Sequence, residues 1–177
     1  FIIESLSKSI RSDQYIVVKE HWDMMGLRPI SYYKKIKKLP NVILINPTTY
    51  SNPGDFIINS DLVVTISGSA GLEAAFMGVN SLIFSDVIYG LMSSAKKIDI
   101  TSNLRQIIDK HKKYKMPEQE LFAYLKVLLT YGSKVRINEL LVHPDDPSLL
   151  IDDEMKKEVN NLLVVFSNGM ELYEKNK

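Results

Sequence analysis

Hydrophobic residues fall along this chain in short unbroken runs separated by segments of helical spacing. Tyr15–Lys19, Asn41–Ile45, Asp61–Ile66 and Ser81–Phe84 are rich in Val, Ile and Leu and show no polar alternation. Such runs predict strands buried on both faces, as in a parallel sheet. Between the first two, Pro29–Leu39 places Ile30, Tyr33 and Ile36 on one face and lysines elsewhere. That spacing predicts a helix with proline in its first turn, stopped before Pro40. Asn46–Gly54, holding Pro47 and Pro53, reads as a turn, and a short helix is expected over 55–59. Leu72–Met77 reads as a helix ended by Gly78. Alternation of strand and helix predicts βαβ units and an α/β fold with helices on both faces of a parallel sheet.

After Asp86 the strand signals thin out, and Asn103–Lys113, Glu118–Tyr131 and Asp153–Lys175 all read as helices. In the last, Met155, Val159, Leu162, Leu163, Phe166, Met170 and Tyr173 step by three and four, which predicts one face held on a core. His143-Pro-Asp-Asp-Pro147 is the expected exposed loop. The organisation expected is an α/β domain over 1–115 and a helical extension over 116–177 packed on it.

The composition, 45% hydrophobic and 24% charged over 177 residues, is that of an ordinary globular domain. Twenty-two Lys and Arg against 21 Asp and Glu leave +1, so nothing in the overall charge points to nucleic acid or to an anionic membrane. The absence of cysteine excludes disulfides, a thiolate metal site and a cysteine nucleophile, and fits a cytoplasmic setting. No apolar run approaches the roughly 20 residues of a membrane-spanning helix. The chain opens on Phe1 and reads as part of something longer.

Ser60–Ala75 is the most informative stretch for chemistry. A strand runs into the small-residue turn Ser67-Gly-Ser-Ala-Gly71, and a helix begins there. Unpaired N–H groups and the helix dipole favour a phosphate at such a place. Gly68 and Gly71 allow close approach, Ser67 and Ser69 add hydroxyl donors, and Glu73 is placed to accept from sugar hydroxyls. A serine-capped helix with glycines for tight packing explains the same residues. His21 follows the first strand, so it and Ser67–Ser69 are expected on the same carboxyl edge, where open α/β sheets gather ligands. An imidazole there suits a phosphate leaving group, and a satisfied structural histidine is the alternative.

Other polar clusters read as structural. His143 with Asp145 and Asp146 lacks a second histidine at ligand spacing and reads as a loop. Asp152, Asp153 and Glu154 read as helix capping, and the lysines at 34–38 and 110–115 as solvated helix faces. The absence of an Asp-x-Asp triplet speaks against a magnesium-held nucleotide sugar, and no metal site is expected.

Lys19-Glu-His21, Arg28–Ile45, Ser60–Ala75 and Ser81–Phe84 together, over residues 13–110, resemble the nucleotide-sugar-binding C-terminal half of bacterial capsular and surface polysaccharide biosynthesis glycosyltransferases of the two-domain GT-B type. The resemblance implies a Rossmann-like domain, one half of a GT-B fold, whose acceptor-binding N-terminal partner is absent. It implies a metal-independent transferase without a cofactor, which takes a CMP- or UDP-linked sugar and passes it to a glycan or glycolipid acceptor. The setting implied is cytoplasmic, at the inner face of the cytoplasmic membrane, with peripheral membrane association of the whole protein. His21 aligns with the family histidine that contacts donor phosphate, Ser67, Gly68, Ser69 and Gly71 with its phosphate-cradling turn, and Glu73 with its acidic residue near ribose or sugar. Trp22 departs from the family, where proline follows the histidine. The rival readings are a UDP-sugar epimerase-like domain and a catalytically silent scaffold of a polysaccharide assembly complex.

Overall fold

The computed structural model describes residues 1–21, 24, 26–46, 52–132 and 153–175. Trp22, Pro47, the His143–Pro147 loop and Asp152 lie outside the described residues. Two compact units are present, Phe1–Leu121 and Phe122–Lys177.

The first unit runs α1 (Ile2–Ser9), β1 (Ile16–Lys19), α2 (Ile30–Ile36), β2 (Val42–Ile45), α3 (Pro53–Ile58), β3 (Val63–Thr65), α4 (Ala70–Phe76), β4 (Ser81–Ile83), a short 3-10 helix (Ile88–Leu91), β5 (Ala95–Lys97) and α5 (Leu104–His111). A further helix, α6 (Glu118–Tyr131), begins in it, and α7 (Asp153–Lys175) lies in the second unit. β1 pairs parallel with β2, Val17 facing Ile43. β3, β4 and β5 form a second parallel sheet in that order, with Val64 facing Leu82 and Leu82 facing Lys96. The protein is therefore α/β, with short parallel sheets flanked by helices, as the alternation of apolar runs predicts.

The core joins both sheets. Leu6 of α1, Leu82 of β4, Ile98, and Leu104 and Ile108 of α5 are buried together, with Ile16 of β1, Leu62 and Phe84 packed against them. Fully burying side chains of this size stabilises by roughly 1.5–3 kcal/mol each, and Leu82 is fully buried. α1 is also tied to the start of β2: Asn41 Nδ2 donates to the Ser7 carbonyl (2.8 Å), and the Ser7 hydroxyl donates to Asn41 Oδ1. Two helix ends follow their sequence signals. Asn52 Oδ1 accepts the Gly54 N–H at the start of α3, where Pro53 stands first, and Asn103 Oδ1 accepts the Gln106 N–H at the start of α5.

Four corrections to the sequence reading follow. The strands are not all buried on both faces: β4 is, but Val17 and Ile43, side by side in the ladder, are 46% and 47% exposed. β5 is a fifth strand in Ala95-Lys-Lys97, paired on one side to β4, so its backbone is held while its lysines face solvent. α1 is a helix the reading left out, although Ile2, Leu6 and Ile10 repeat at helical spacing. Finally, α7 buries Met155 and Glu158 in its first turns, whereas Leu163, Phe166 and Met170 farther along are exposed. The apolar stripe is present, but its later turns are not held on a core.

Candidate functional site

The Ser67–Glu73 passage is built as a strand, a tight turn and a helix. At the end of β3 the Thr65 hydroxyl accepts the Gly68 N–H (3.1 Å), which turns the chain out of the strand. Behind the turn, the Ser85 hydroxyl donates to the Ile66 carbonyl (2.8 Å). Tyr89, from the 3-10 helix, donates its hydroxyl to the Gly68 carbonyl at 2.6 Å. The ring of Tyr89 lies against Gly71, where an added Cβ would stand 2.6 Å from Cε2. Gly71 is needed for this close approach, since any side chain would displace the ring that clamps the turn.

Ser69 opens α4 in helical backbone geometry and makes no side-chain cap. Its hydroxyl donates instead to Glu73 Oε1 (2.8 Å), one helical turn on, and the Glu73 N–H donates to the Ser69 carbonyl (2.9 Å). Gly68 N–H is therefore spent on Thr65 and the Ser69 hydroxyl on Glu73. The N–H groups of Ala70 and Leu72 have no acceptor among the described residues. Ser67, Gly68 and Ser69 are exposed, Glu73 is half-buried and Gly71 is buried. The turn thus offers two backbone donors, the Ser67 hydroxyl and the second oxygen of Glu73 on an open, clamped surface.

His21 is exposed just beyond the carboxyl end of β1, and its carbonyl accepts the Met24 N–H (3.0 Å). It stands beside a polar cluster that the sequence reading missed. Glu20, only 7% exposed, receives Arg28 Nε on one carboxylate oxygen (2.6 Å) and the Tyr33 hydroxyl on the other (2.6 Å). The Arg28 guanidinium lies 4.7 Å from the centre of the Tyr32 ring, and Tyr32 meets Tyr33 edge-on at 5.3 Å. The bond to the Glu20 carboxylate holds the phenolic proton and pushes Tyr33 above its ordinary range, with burial adding to it. Beyond the Nε bond to Glu20, the Arg28 guanidinium meets no further acceptor among the described residues, and such a group is able to meet an anion. Signals for the missed residues are uneven: Arg28 stands eight positions after a carboxylate at a strand end, whereas nothing local marks Tyr89 as the clamp of a turn 21 positions earlier.

His21 and the Ser67–Ser69 turn follow strands of different sheets, and no ladder joins β1 to β3 among the described residues. Each lies at the carboxyl end of its own strand. Among the described residues no three His, Asp or Glu side chains gather in a way that would hold a metal ion, and no helix is long and apolar enough to cross a membrane. Comparison of the chain with protein-family models, with curated proteins and with solved structures finds no match.

Proposed function

We propose that this chain is the donor-binding domain of a metal-independent glycosyltransferase of GT-B type, acting in the synthesis of a capsular or surface polysaccharide. The observation that carries the reading is the exposed turn Ser67–Ser69 at the carboxyl end of a parallel strand, held from behind by Tyr89 and passing directly into α4. Open α/β sheets bind ligands at that edge. In this reading the backbone donors of Ala70 and Leu72 and the Ser67 hydroxyl meet the diphosphate of the donor, Glu73 accepts from a sugar or ribose hydroxyl, and His21, with Arg28 beside it, stabilises charge on the departing phosphate. In a GT-B arrangement the acceptor and the base that activates it would be contributed by a second domain.

The test is calorimetric titration with CMP, UDP, GDP and ADP, repeated on His21→Ala and Ser67→Ala. A ligand that binds only the folded chain also raises its unfolding temperature, so a thermal-shift series checks the same point. Selective binding of one nucleotide, weakened by both substitutions, supports the reading. Binding untouched by either sinks this assignment of the site.

A second reading, a silent scaffold domain, has its own observation. Val17 and Ile43 form an exposed apolar pair on one sheet, and Leu163, Phe166 and Met170 are exposed along α7. Surfaces of this kind mark partner contacts. A chain that binds no nucleotide but self-associates or captures another assembly protein would favour it.

A further inference from the structure

An open depression of about 580 Å³ lies beside β5 and α5, lined by Ser93, Ala95, Lys96, Lys97, Lys110, His111, Lys113 and Tyr114. Its walls are pinned. His111, buried, holds the Ser94 carbonyl through Nε2 (2.9 Å), and Asn80 Nδ2 donates to the carbonyls of His111 (2.8 Å) and Tyr114 (2.6 Å). Tyr114 stacks on His111 with 6.0 Å between ring centres, and its hydroxyl donates to Ser93 Oγ (2.9 Å). Ser94 and Asn80 immediately precede β5 and β4, so these anchors lie at the amino end of a parallel sheet whose carboxyl end carries the Ser67–Ser69 turn.

The charge of this wall is one-sided. The chain as a whole is nearly neutral at +1, yet four lysines line the depression and no carboxylate does. Two acids meet this wall from its edge: Asp86 pairs with Lys97, and Glu120 accepts both the Ser93 N–H (2.8 Å) and its hydroxyl (2.7 Å), which leaves the charge of Lys97 matched and three lysines against one carboxylate. Lys96, Lys110 and Lys113 have no acidic partner among the described residues. Lys96, Lys110 and Lys113, carried by a strand, a helix and the segment after it, are exposed and flank this open depression.

The geometry points to an anion site here, distinct from the Ser67–Ser69 turn, that takes a diphosphate group. An exposed ammonium gains little from one charge, so a ligand is held only if it meets several at once. A diphosphate carries its charges on two linked centres and can reach across from β5 to α5, and lysine serves as a point-charge partner for phosphate. The group could arrive as inorganic diphosphate or as part of a nucleoside diphosphate.

The experiment is titration of the whole chain with sodium pyrophosphate and, separately, with UDP, at low salt and at ~0.15 M ionic strength. Four variants are compared: the triple Lys96→Gln, Lys110→Gln, Lys113→Gln; the same triple to Arg; a control triple Lys34→Gln, Lys35→Gln, Lys38→Gln in and just after α2; and Ser69→Ala. Pyrophosphate binding that weakens with salt and falls about tenfold or more in the first triple, while the arginine triple and the α2 control retain it, supports the site. UDP tighter than pyrophosphate with the same loss assigns a nucleoside diphosphate, and equal affinity assigns the free anion. No pyrophosphate binding, an equal loss in the α2 triple, or a loss confined to Ser69→Ala overturns the inference.

Discussion

The hydroxyl of Tyr89 donates to the carbonyl of Gly68 at 2.6 Å, and the same ring fills the space in which a side chain at residue 71 would stand. The turn is therefore shaped from outside, by a residue 21 positions away. Tyr89→Phe keeps the ring and removes the bond, and is expected to cost about 1 kcal/mol in denaturant unfolding. Gly71→Ala drives a methyl into the ring and is expected to cost about 1–3 kcal/mol. Most of the Gly71→Ala cost should vanish in a Tyr89→Ala background, since the clash needs the ring. Equal Gly71→Ala costs in both backgrounds would show that the contact is not what requires glycine.

The Ser69 hydroxyl donates to Glu73, so the Glu73 carboxylate is held at the same turn whose N–H groups and Ser67 hydroxyl are assigned to the diphosphate. Glu73→Gln removes a negative charge from beside the phosphates and weakens the hold on Ser69. The expected outcome is tighter binding of the free nucleoside diphosphate. A nucleotide sugar should gain less or lose, because Glu73 is assigned to its hydroxyls. The comparison is calorimetric, one nucleotide against its sugar conjugate on both proteins. A uniform weakening of both ligands would remove Glu73 from the sugar and place it with the fold.

The four apolar strands were legible because a buried parallel strand needs nothing but Val, Ile and Leu in sequence, and α6 and α7 because their apolar spacing is long. β5 was not, because Ala95-Lys-Lys97 takes its order from pairing with β4 and carries no pattern of its own. The exposure of Val17 and Ile43 was equally hidden: a run that suits burial on both faces reads the same whether or not one face is covered. At the site, Ser67, Gly68, Ser69, Gly71 and Glu73 were legible as a strand-turn-helix passage. The clamp by Tyr89, the diversion of the Ser69 hydroxyl to Glu73 and the Glu20–Arg28–Tyr33 cluster were not, since each depends on which distant side chain the fold brings in.

The Tyr33–Glu20 bond predicts a change in stability at alkaline pH. Tyr33 titrates above its ordinary range in the folded chain because its proton is shared with the Glu20 carboxylate. A group whose proton is held more tightly when folded contributes stability that is whole below the unfolded value, about 10 for tyrosine, and is lost as pH rises through the folded value. The wild-type chain should therefore lose stability relative to Tyr33→Phe as pH is raised through 10 and beyond, having exceeded it at neutral pH. Thermal unfolding of both proteins at neutral and alkaline pH measures this. A difference that stays constant across that range would mean the bond does not hold the proton.

Gly78 supplies the contrasting case to Gly71. α4 ends with the Val79 N–H on the Ala74 carbonyl (2.8 Å) and the Gly78 N–H on the Ala75 carbonyl (3.2 Å), with Gly78 at φ +73°. This is the left-handed helix stop, in which the last carbonyls of the helix receive N–H donors from the residues that follow it. An added Cβ would meet nothing within 4 Å, so Gly78→Ala costs only the left-handed backbone, about 1–2 kcal/mol. Gly78→Asn should cost less, because asparagine enters that region more readily. Unlike the Gly71 penalty, this one resides in the residue itself, so Tyr89→Ala should leave it unchanged. Urea unfolding of Gly78→Ala and Gly78→Asn, each with and without Tyr89→Ala, separates the two kinds of glycine requirement on either side of one helix. Relief of the Gly78 penalty by Tyr89→Ala would contradict its origin in the backbone.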